Sequence, residues 1–228
     1  VNPLLVGFSG GPDSLCLLHI LKNTGFSLLA AHLDHGLRVA SAEEAKQARV
    51  ICDQMGIPFI TCRVDVNDYM LKNKLSLEES ARYLRYEFLF KSAAEHHAQA
   101  VVVAHHADDQ VETVLMHLLR GSGLSGLAGM HPYSLPNPWS ETIPLIRPLL
   151  TINRDEILAY LKEKDLTPIY DESNDDIRFF RNRIRKELIP VLSTFNPQIK
   201  ERISRMGNVL SADEDFLVHQ ADLAWQNT

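Results

Sequence analysis

Ser9, Gly10, Gly11, Pro12, Asp13 and Ser14 are the residues whose types and spacing point most directly to chemistry. An apolar run, Leu4 to Phe8, leads into them, and a second, Leu15 to Leu21, follows. That order reads as strand, tight turn, helix. Two glycines allow a sharp bend and a close approach of backbone to a ligand. Unpaired N–H groups and the positive dipole end of a new helix favour an anion. Ser9 and Ser14 add hydroxyls, and Pro12 suits a first helical turn because it wastes no N–H. Phosphate is the natural guest. The Gly-x-x-x-x-Gly-Lys-Ser/Thr and Gly-x-Gly-x-x-Gly patterns are both absent here. A Gly-Gly turn flanked by serines also serves geometry alone.

Three further clusters hold polar residues. His32, Asp34 and His35, with His105, His106, Asp108 and Asp109, are of the types that bind metals in phosphoesterases. The plainer reading makes them helix caps and the lining of a crevice, with Asp108 or Asp109 at an N-cap. Arg82 and Arg85 lie one helical turn apart beside Tyr83 and Tyr86. Arg181, Asn182 and Arg185 share a helix face. Both sets read as solvated faces or as phosphate contacts. Asp109 and Glu112 are three apart at a helix start, so their side chains share a face, as a cap pair or as a pocket for an ammonium group.

The elements that must position these residues alternate. Strands are expected at Leu4–Phe8, Phe26–Leu33, Ile57–Val64 and Ala100–Ala104. Helices are expected after Ser9–Ser14, after capping boxes at Ser41/Glu44 and Ser76/Glu79, and from Asp108 or Asp109 to Arg120. The pattern predicts an α/β fold, a doubly wound, mainly parallel, five-stranded Rossmann-like sheet with a small C-terminal helical extension. In such sheets ligands sit beyond the C-terminal strand ends. Gly121 to Pro148 is rich in Gly, Ser and Pro and reads as a long functional connection carrying Tyr133 and Trp139. Asn153 to Lys164 reads as a helix, Asp171 to Asp176 as a polar break, Arg178 to Lys186 as a basic cluster and Asn196 to Thr228 as helical. Residues 1–190 are expected to form the catalytic domain and 191–228 to begin a second, helical one.

The formal net charge of −6 over 228 residues argues against general charge-driven nucleic-acid binding while leaving room for a local basic face. No apolar run reaches the length of a membrane span. Cys16, Cys52 and Cys62 are odd in number and widely spaced, which suits a reducing cytoplasm and three small buried hydrophobes. The oligomeric state stays open, a homodimer included.

Ser-Gly-Gly-x-Asp-Ser at 9–14 resembles the pyrophosphate loop, or PP-loop, of the N-type ATP pyrophosphatases, which cleave ATP to AMP and pyrophosphate. The resemblance extends in order along the chain to the isoleucine tRNA lysidine synthetases. His32 to Arg38 is similar to their His-x-x-His-x-x-Arg segment, Ser80 to Tyr86 to their paired-arginine helix, and Ala104 to Thr113 to their second active-site segment. Arg120 to Gly123, Ile146 to Leu149, Asp171 to Asn174 and Arg181 to Arg185 complete the set, which covers most of Leu4 to Pro190. It implies ATP and Mg²⁺ as cofactors, and an isoleucine tRNA with a wobble cytidine and free L-lysine as partners. The cytidine would be adenylated at its carbon-2 oxygen and AMP then displaced by lysine. It implies catalytic roles for Asp13, Asp34, Arg85, Asp109 and Arg181, and nucleotide binding by Ser9, Gly10, Gly11, Pro12, Asp13, Ser14, His32 and His105. It implies substrate contacts by Arg38, Arg82, Asp109, Glu112, Arg147, Arg181, Asn182 and Arg185, with Asp13 on the metal. Longer members of the family carry further C-terminal domains. A tRNA thiolase with the same loop and a metal-dependent phosphoesterase are the enzymatic alternatives; a nucleotide-binding regulatory module is the non-catalytic one.

Overall fold

The computed structural model describes residues 2–36, 41–169 and 179–226. Arg38, the Asp171 to Asn174 segment and Arg178 lie outside them. The chain groups into two compact units interleaved along the sequence: Val1–His105 with Pro132–Asp171, and His106–His131 with Glu172–Thr228.

The first unit carries the sheet. Its strands are β1 (Leu4–Gly7), β2 (Leu28–Asp34), β3 (Phe59–Arg63), β4 (Ala100–Val102), β5 (Tyr133–Ser134) and β6 (Leu145–Ile146), in the order β3-β2-β1-β4-β6-β5. All neighbouring pairs are parallel except β5 with β6. The sheet thus has six strands rather than five. The extra pairing lies inside Gly121 to Pro148, where two-residue strands are too short for any hydrophobic period to register. That stretch is a folded excursion, and α6 (Leu124–Ala128) also lies in it.

Every residue of β2 is buried, as expected of a strand with partners on both sides and cover on both faces. Alternation sorts the strand residues onto two cores. Val6, Phe8, Ala30, Ala100 and Val102 pack with Leu15, Leu17 and Leu18 of α1 (Pro12–Asn23) and with Ile157 and Leu161 of α7 (Arg154–Glu163). Leu5, Leu29, Ala31, Val101 and Val103 pack with Tyr86, Leu89 and Phe90 of α4 (Leu77–Glu95). Helices therefore cover both faces, and the sheet is doubly wound. The chain runs β1, β2, β3 outward and then returns to place β4 on the other side of β1. That reversal makes the β1/β4 boundary the switch point, where ligands bind in such sheets.

The Ser76/Glu79 capping box opens α4, and Asn153 with Glu156 makes another at α7. Ser41, expected to cap α2 (Ser41–Met55), stands instead as its first residue. Cys62 is exposed rather than buried, because β3 is the edge strand and its C-terminal half faces solvent. α3 (Val66–Asn73) starts with Asp65 accepting from Asp68 N. Trp139 takes a core role, stacked on Tyr86 and edge-on to Tyr83, while Tyr133 is exposed.

The second unit is helical: α5 (Ala107–Leu119), α6, α8 (Phe180–Arg183), a π turn at Ile184–Leu188, α9 (Ile189–Phe195) and α10 (Ile199–Gln226). Val111, Val114 and Leu115 of α5 pack with Ile184, Ile189 and Ile203. Gly207 of α10 brings its backbone close to α6: a Cβ there would lie 3.4 Å from the Ala128 carbonyl oxygen. α5 begins at Ala107 with His106 at its N-cap, one residue before Asp108 and two before Asp109, the expected starts. Asp109 therefore sits at the third helical position, and its carboxylate accepts from His106 N at 3.0 Å. Among the described residues no helix is long and apolar enough to cross a membrane.

Candidate functional site

The loop after β1 is closed by its own neutral hydrogen bonds. Ser14 Oγ donates to the Gly11 carbonyl at 3.0 Å and accepts from Ser9 N at 3.2 Å. Since that proton is committed, the Ser9 hydroxyl is the donor in the 3.2 Å contact between the two side chains. Ser9 Oγ in turn accepts from Gly11 N at 3.3 Å. The first helical bond of α1 is Leu15 N to the Gly11 carbonyl. Asp13 and Ser14 thus stand in the first turn, where N–H groups have no partner within the helix and an anion is favoured. The serines preorganise a backbone cradle. Gly10 has φ of +82°, a conformation that side chains with a Cβ rarely adopt. The space beside it is taken by Ile169 of this same chain, not left open for a ligand. Asp13 lies 3.8 Å from Arg154 Nη1.

The loop after β2 is similarly self-bound. Asp34 Oδ1 accepts from Gly36 N at 2.9 Å, and Oδ2 lies 3.7 Å from Arg63. Burial alone would raise its carboxyl. The Ser41 hydroxyl, Gly36 N–H, Arg63 and His32 outweigh burial and hold it below the ordinary carboxylate value. Asp34 is therefore an anion that fixes its loop, and a weak proton acceptor. His32 is buried, and burial lowers its basicity. Its Nδ1 lies 2.9 Å from the Phe8 carbonyl, which can only accept, so Nδ1 carries the proton and Nε2 is left as an acceptor. His32 thus suits a donor such as an amine or a hydroxyl, and suits a phosphate oxygen poorly. Arg85 is exposed and meets His35 at 3.3 Å, and Arg82 lies over the Tyr86 ring at 4.9 Å. Arg147 follows β6 and is buried, with Nη1 donating to Ser134 Oγ at 3.3 Å. Burial pulls its guanidinium down from the ordinary value, against the pull of Tyr86 and with the charge of Arg82. His105 is half-buried in the loop after β4.

In the second unit, two predicted sets turn out to be one cluster. The proposed ammonium carboxylates and the proposed phosphate arginines hold each other. Arg185 Nε donates to Glu112 Oε1 at 2.6 Å, and Arg181 Nη1 to Oε2 at 3.4 Å. Arg181 also reaches Thr113 Oγ1 at 3.3 Å. Asp109 Oδ1 lies 3.6 Å from Arg185 and 3.8 Å from Arg181. Burial raises the Glu112 carboxyl above its usual value despite Arg185 and Arg181, with Asp109 adding to the rise. The Glu112 side chain is 1% exposed and that of Asp109 15%. Asp109 is therefore the accessible carboxylate. Arg181 and Arg185 are not a solvated stripe, and Asn182 between them is half-buried. Sequence reasoning missed this pairing, although the equal and opposite charges of the two sets were a signal for it.

Asp108 pairs with Lys200, and Asp109 accepts from the His106 N–H from inside α5, so neither aspartate stands at the N-cap expected of it. Among the described residues no three of His, Cys, Asp and Glu are grouped to hold a metal ion. Burial pushes the thiols of Cys16 and Cys52 up to about 11 and about 12, values unsuited to persulfide chemistry.

A parallel, doubly wound sheet with an anion cradle at its switch point defines a nucleotide-using α/β domain. The PP-loop domain family matches residues 1–192, and the chain belongs to that family, whose domain uses ATP. The chain is 42% identical to the tRNA(Ile)-lysidine synthase of Dehalococcoides mccartyi, over 90% of this chain and 45% of that protein. It is 37% identical to that of Clostridioides difficile, over 97% of this chain and 48% of that protein. It is 40% identical to the bifunctional protein TilS/HprT of Listeria monocytogenes, over 95% of this chain and 33% of that protein. The chain thus spans less than half the length of these relatives. Among solved structures it is similar in fold to the tRNA thiolase NcsA of Methanococcus maripaludis, with TM-score 0.75, 20% identity and coverage of 92% and 72% of the two chains. The ammonia-dependent NAD synthetase of Campylobacter jejuni is a more distant match, with TM-score 0.53, 14% identity and coverage of 92% and 87%.

Proposed function

We propose that residues 1–190 are the ATP-using catalytic domain of a tRNA(Ile)-lysidine synthase and that 191–228 begin its helical second domain. The observation that carries this reading is the 37–42% identity, over 90–97% of the chain, with relatives of that name or its bifunctional form. The carbon-2 oxygen of the wobble cytidine attacks the α-phosphorus of ATP. The bond to the β-phosphate oxygen breaks, and pyrophosphate leaves. The lysine amine then attacks carbon 2, and AMP departs with the oxygen.

The residues fit these demands. Backbone N–H groups at the start of α1 receive the leaving pyrophosphate. Asp13 offers a single hard carboxylate beside the cradle, the donor that Mg²⁺ takes when phosphates complete its shell. Asp13 would hold that ion, which when bound neutralises phosphate charge. His32 offers an acceptor to an amine or hydroxyl of the nucleotide. Arg82 and Arg85 give exposed cations for the RNA, whose target base must leave its stack to react. Asp109 meets the lysine ammonium. Glu112 holds Arg181 and Arg185 where they face Asp109. Lysine, with an ordinary amine pKa of about 10.4, must lose a proton to attack, and the depressed basicity of Asp34 makes it a poor recipient.

The test is a trapped intermediate. Full-length protein, ATP and the tRNA without lysine should release pyrophosphate and accumulate adenylated tRNA. Pyrophosphate release that ignores the tRNA would sink the proposal.

A further inference from the structure

We infer that Ile169 is a positioning residue for ATP, fixing the Gly10–Gly11 peptide of the anion loop from a segment more than 150 residues further along the chain. The inference rests on the reading of that loop as an ATP site.

Two contacts carry it, one from backbone and one from side chain. The Ile169 N–H donates to the Gly10 carbonyl at 2.9 Å. A Cβ built on Gly10 would lie 2.3 Å from Ile169 Cδ1 and 3.0 Å from Cγ1. Gly10 is buried beneath this side chain, while its neighbour Ser9 is exposed. A peptide is planar and trans, so its carbonyl and its N–H point in opposite directions. Holding the Gly10 carbonyl on Ile169 therefore aims Gly11 N–H the other way, where Ser9 Oγ accepts it at 3.3 Å. Were that peptide free to rotate, its carbonyl oxygen would be able to swing toward the bound anion and repel it. Ile169 prevents this and keeps the Gly10 carbonyl off the side of the loop on which Gly11 N–H and Ser9 Oγ lie. The requirement for glycine at position 10 is thus double: a positive φ, and no Cβ where Ile169 packs. Ile169 is in this way built into the nucleotide loop.

The experiment measures the ATP dissociation constant by calorimetry, with melting temperature and with kcat and KM for ATP in tRNA-dependent pyrophosphate release. The variants, in the full-length protein, are Ile169→Val, Ile169→Ala, Gly10→Ala and the double variant. Ile169→Ala should raise the dissociation constant and KM for ATP about ten-fold, equivalent to ~1.4 kcal/mol, with kcat changed much less. Ile169→Val, which loses Cδ1 but keeps the β-branch and a carbon at the Cγ1 position, should fall between wild type and Ile169→Ala. Gly10→Ala should bind worst, and adding Ile169→Ala should improve it, because truncation removes the clash; such coupling is expected only of residues in contact. Wild-type ATP affinity in a folded Ile169→Ala variant overturns the inference, as do strictly additive losses in the double variant. A wild-type protein that binds no ATP overturns the loop reading, and this inference with it.

Discussion

The Ser9–Ser14 loop and the Glu112 cluster are both self-bound, but by different means. In the loop, hydroxyls and amides satisfy one another, and no formal charge is needed to hold its shape. In the cluster, two arginines and two carboxylates hold one another in a partly buried setting. A neutral loop ought to keep its shape across pH and salt, ready for a charged guest. An ionic cluster ought to respond to both, and any ammonium guest must compete with arginines already in place.

The largest expected effect separates the two carboxylates of the cluster. Asp109→Asn should raise the lysine concentration for half-maximal labelling of tRNA by the equivalent of about 2–5 kcal/mol, the usual loss for a charged partner in a desolvated site. Glu112→Gln should mainly lower kcat through the displaced arginines, with a smaller change in the lysine requirement. Equal shifts in that requirement would return Glu112 to direct lysine contact.

Next comes stability. Arg185→Ala leaves Glu112 buried with Arg181 alone. It should cost about 2–3 kcal/mol in urea denaturation at pH 7.5, at or below the lower end for a broken buried pair because Arg185 is 30% exposed. Glu112 titrates above the ordinary carboxylate value. Its charged form is therefore penalised in the fold, and stability is recovered as pH falls through its folded value. The cost should shrink at pH 5. Ser14→Ala removes one acceptor and one donor from the loop and should cost about 1 kcal/mol, the same at pH 5 and pH 7.5 and in high salt. A pH-dependent loss there, or a pH-independent one for Arg185→Ala, would break the comparison.

The smallest effect belongs to His32. Its folded value is lowered by burial, so the unfolded chain takes up a proton that the fold refuses. Stability contributed by neutral His32 is full above the unfolded value of about 6.5 and is lost as pH falls below it. His32→Asn should flatten that part of the melting-temperature profile relative to wild type, in which His19 contributes a loss of the same sign.

Much of this was legible in the sequence because the signals are local. The apolar runs around Ser9–Ser14, the Ser76/Glu79 box and the alternation of strands with helices each depend on residues a few positions apart. The loop's self-closure by Ser9 and Ser14 also has local causes. What escaped was long-range. Ile169 filling the space at Gly10 and Arg185 held on Glu112 join positions 159 and 73 residues apart, and no spacing rule reaches that far. β5 and β6 escaped for the opposite reason, since two residues carry no period. The start of α5 was misread because two adjacent aspartates look like caps, whereas Asp109 reaches back to the N-cap amide from inside the helix.

The reaction proposed for the full-length protein joins lysine to an isoleucine tRNA at the expense of ATP. The direct measurement uses the full-length protein with ATP, radiolabelled lysine and the isoleucine tRNA bearing a wobble cytidine, beside the same tRNA with that cytidine replaced by uridine. The account predicts label in the first RNA only, with one AMP and one pyrophosphate released per lysine incorporated. Label in neither RNA, with ATP still cleaved, would contradict it.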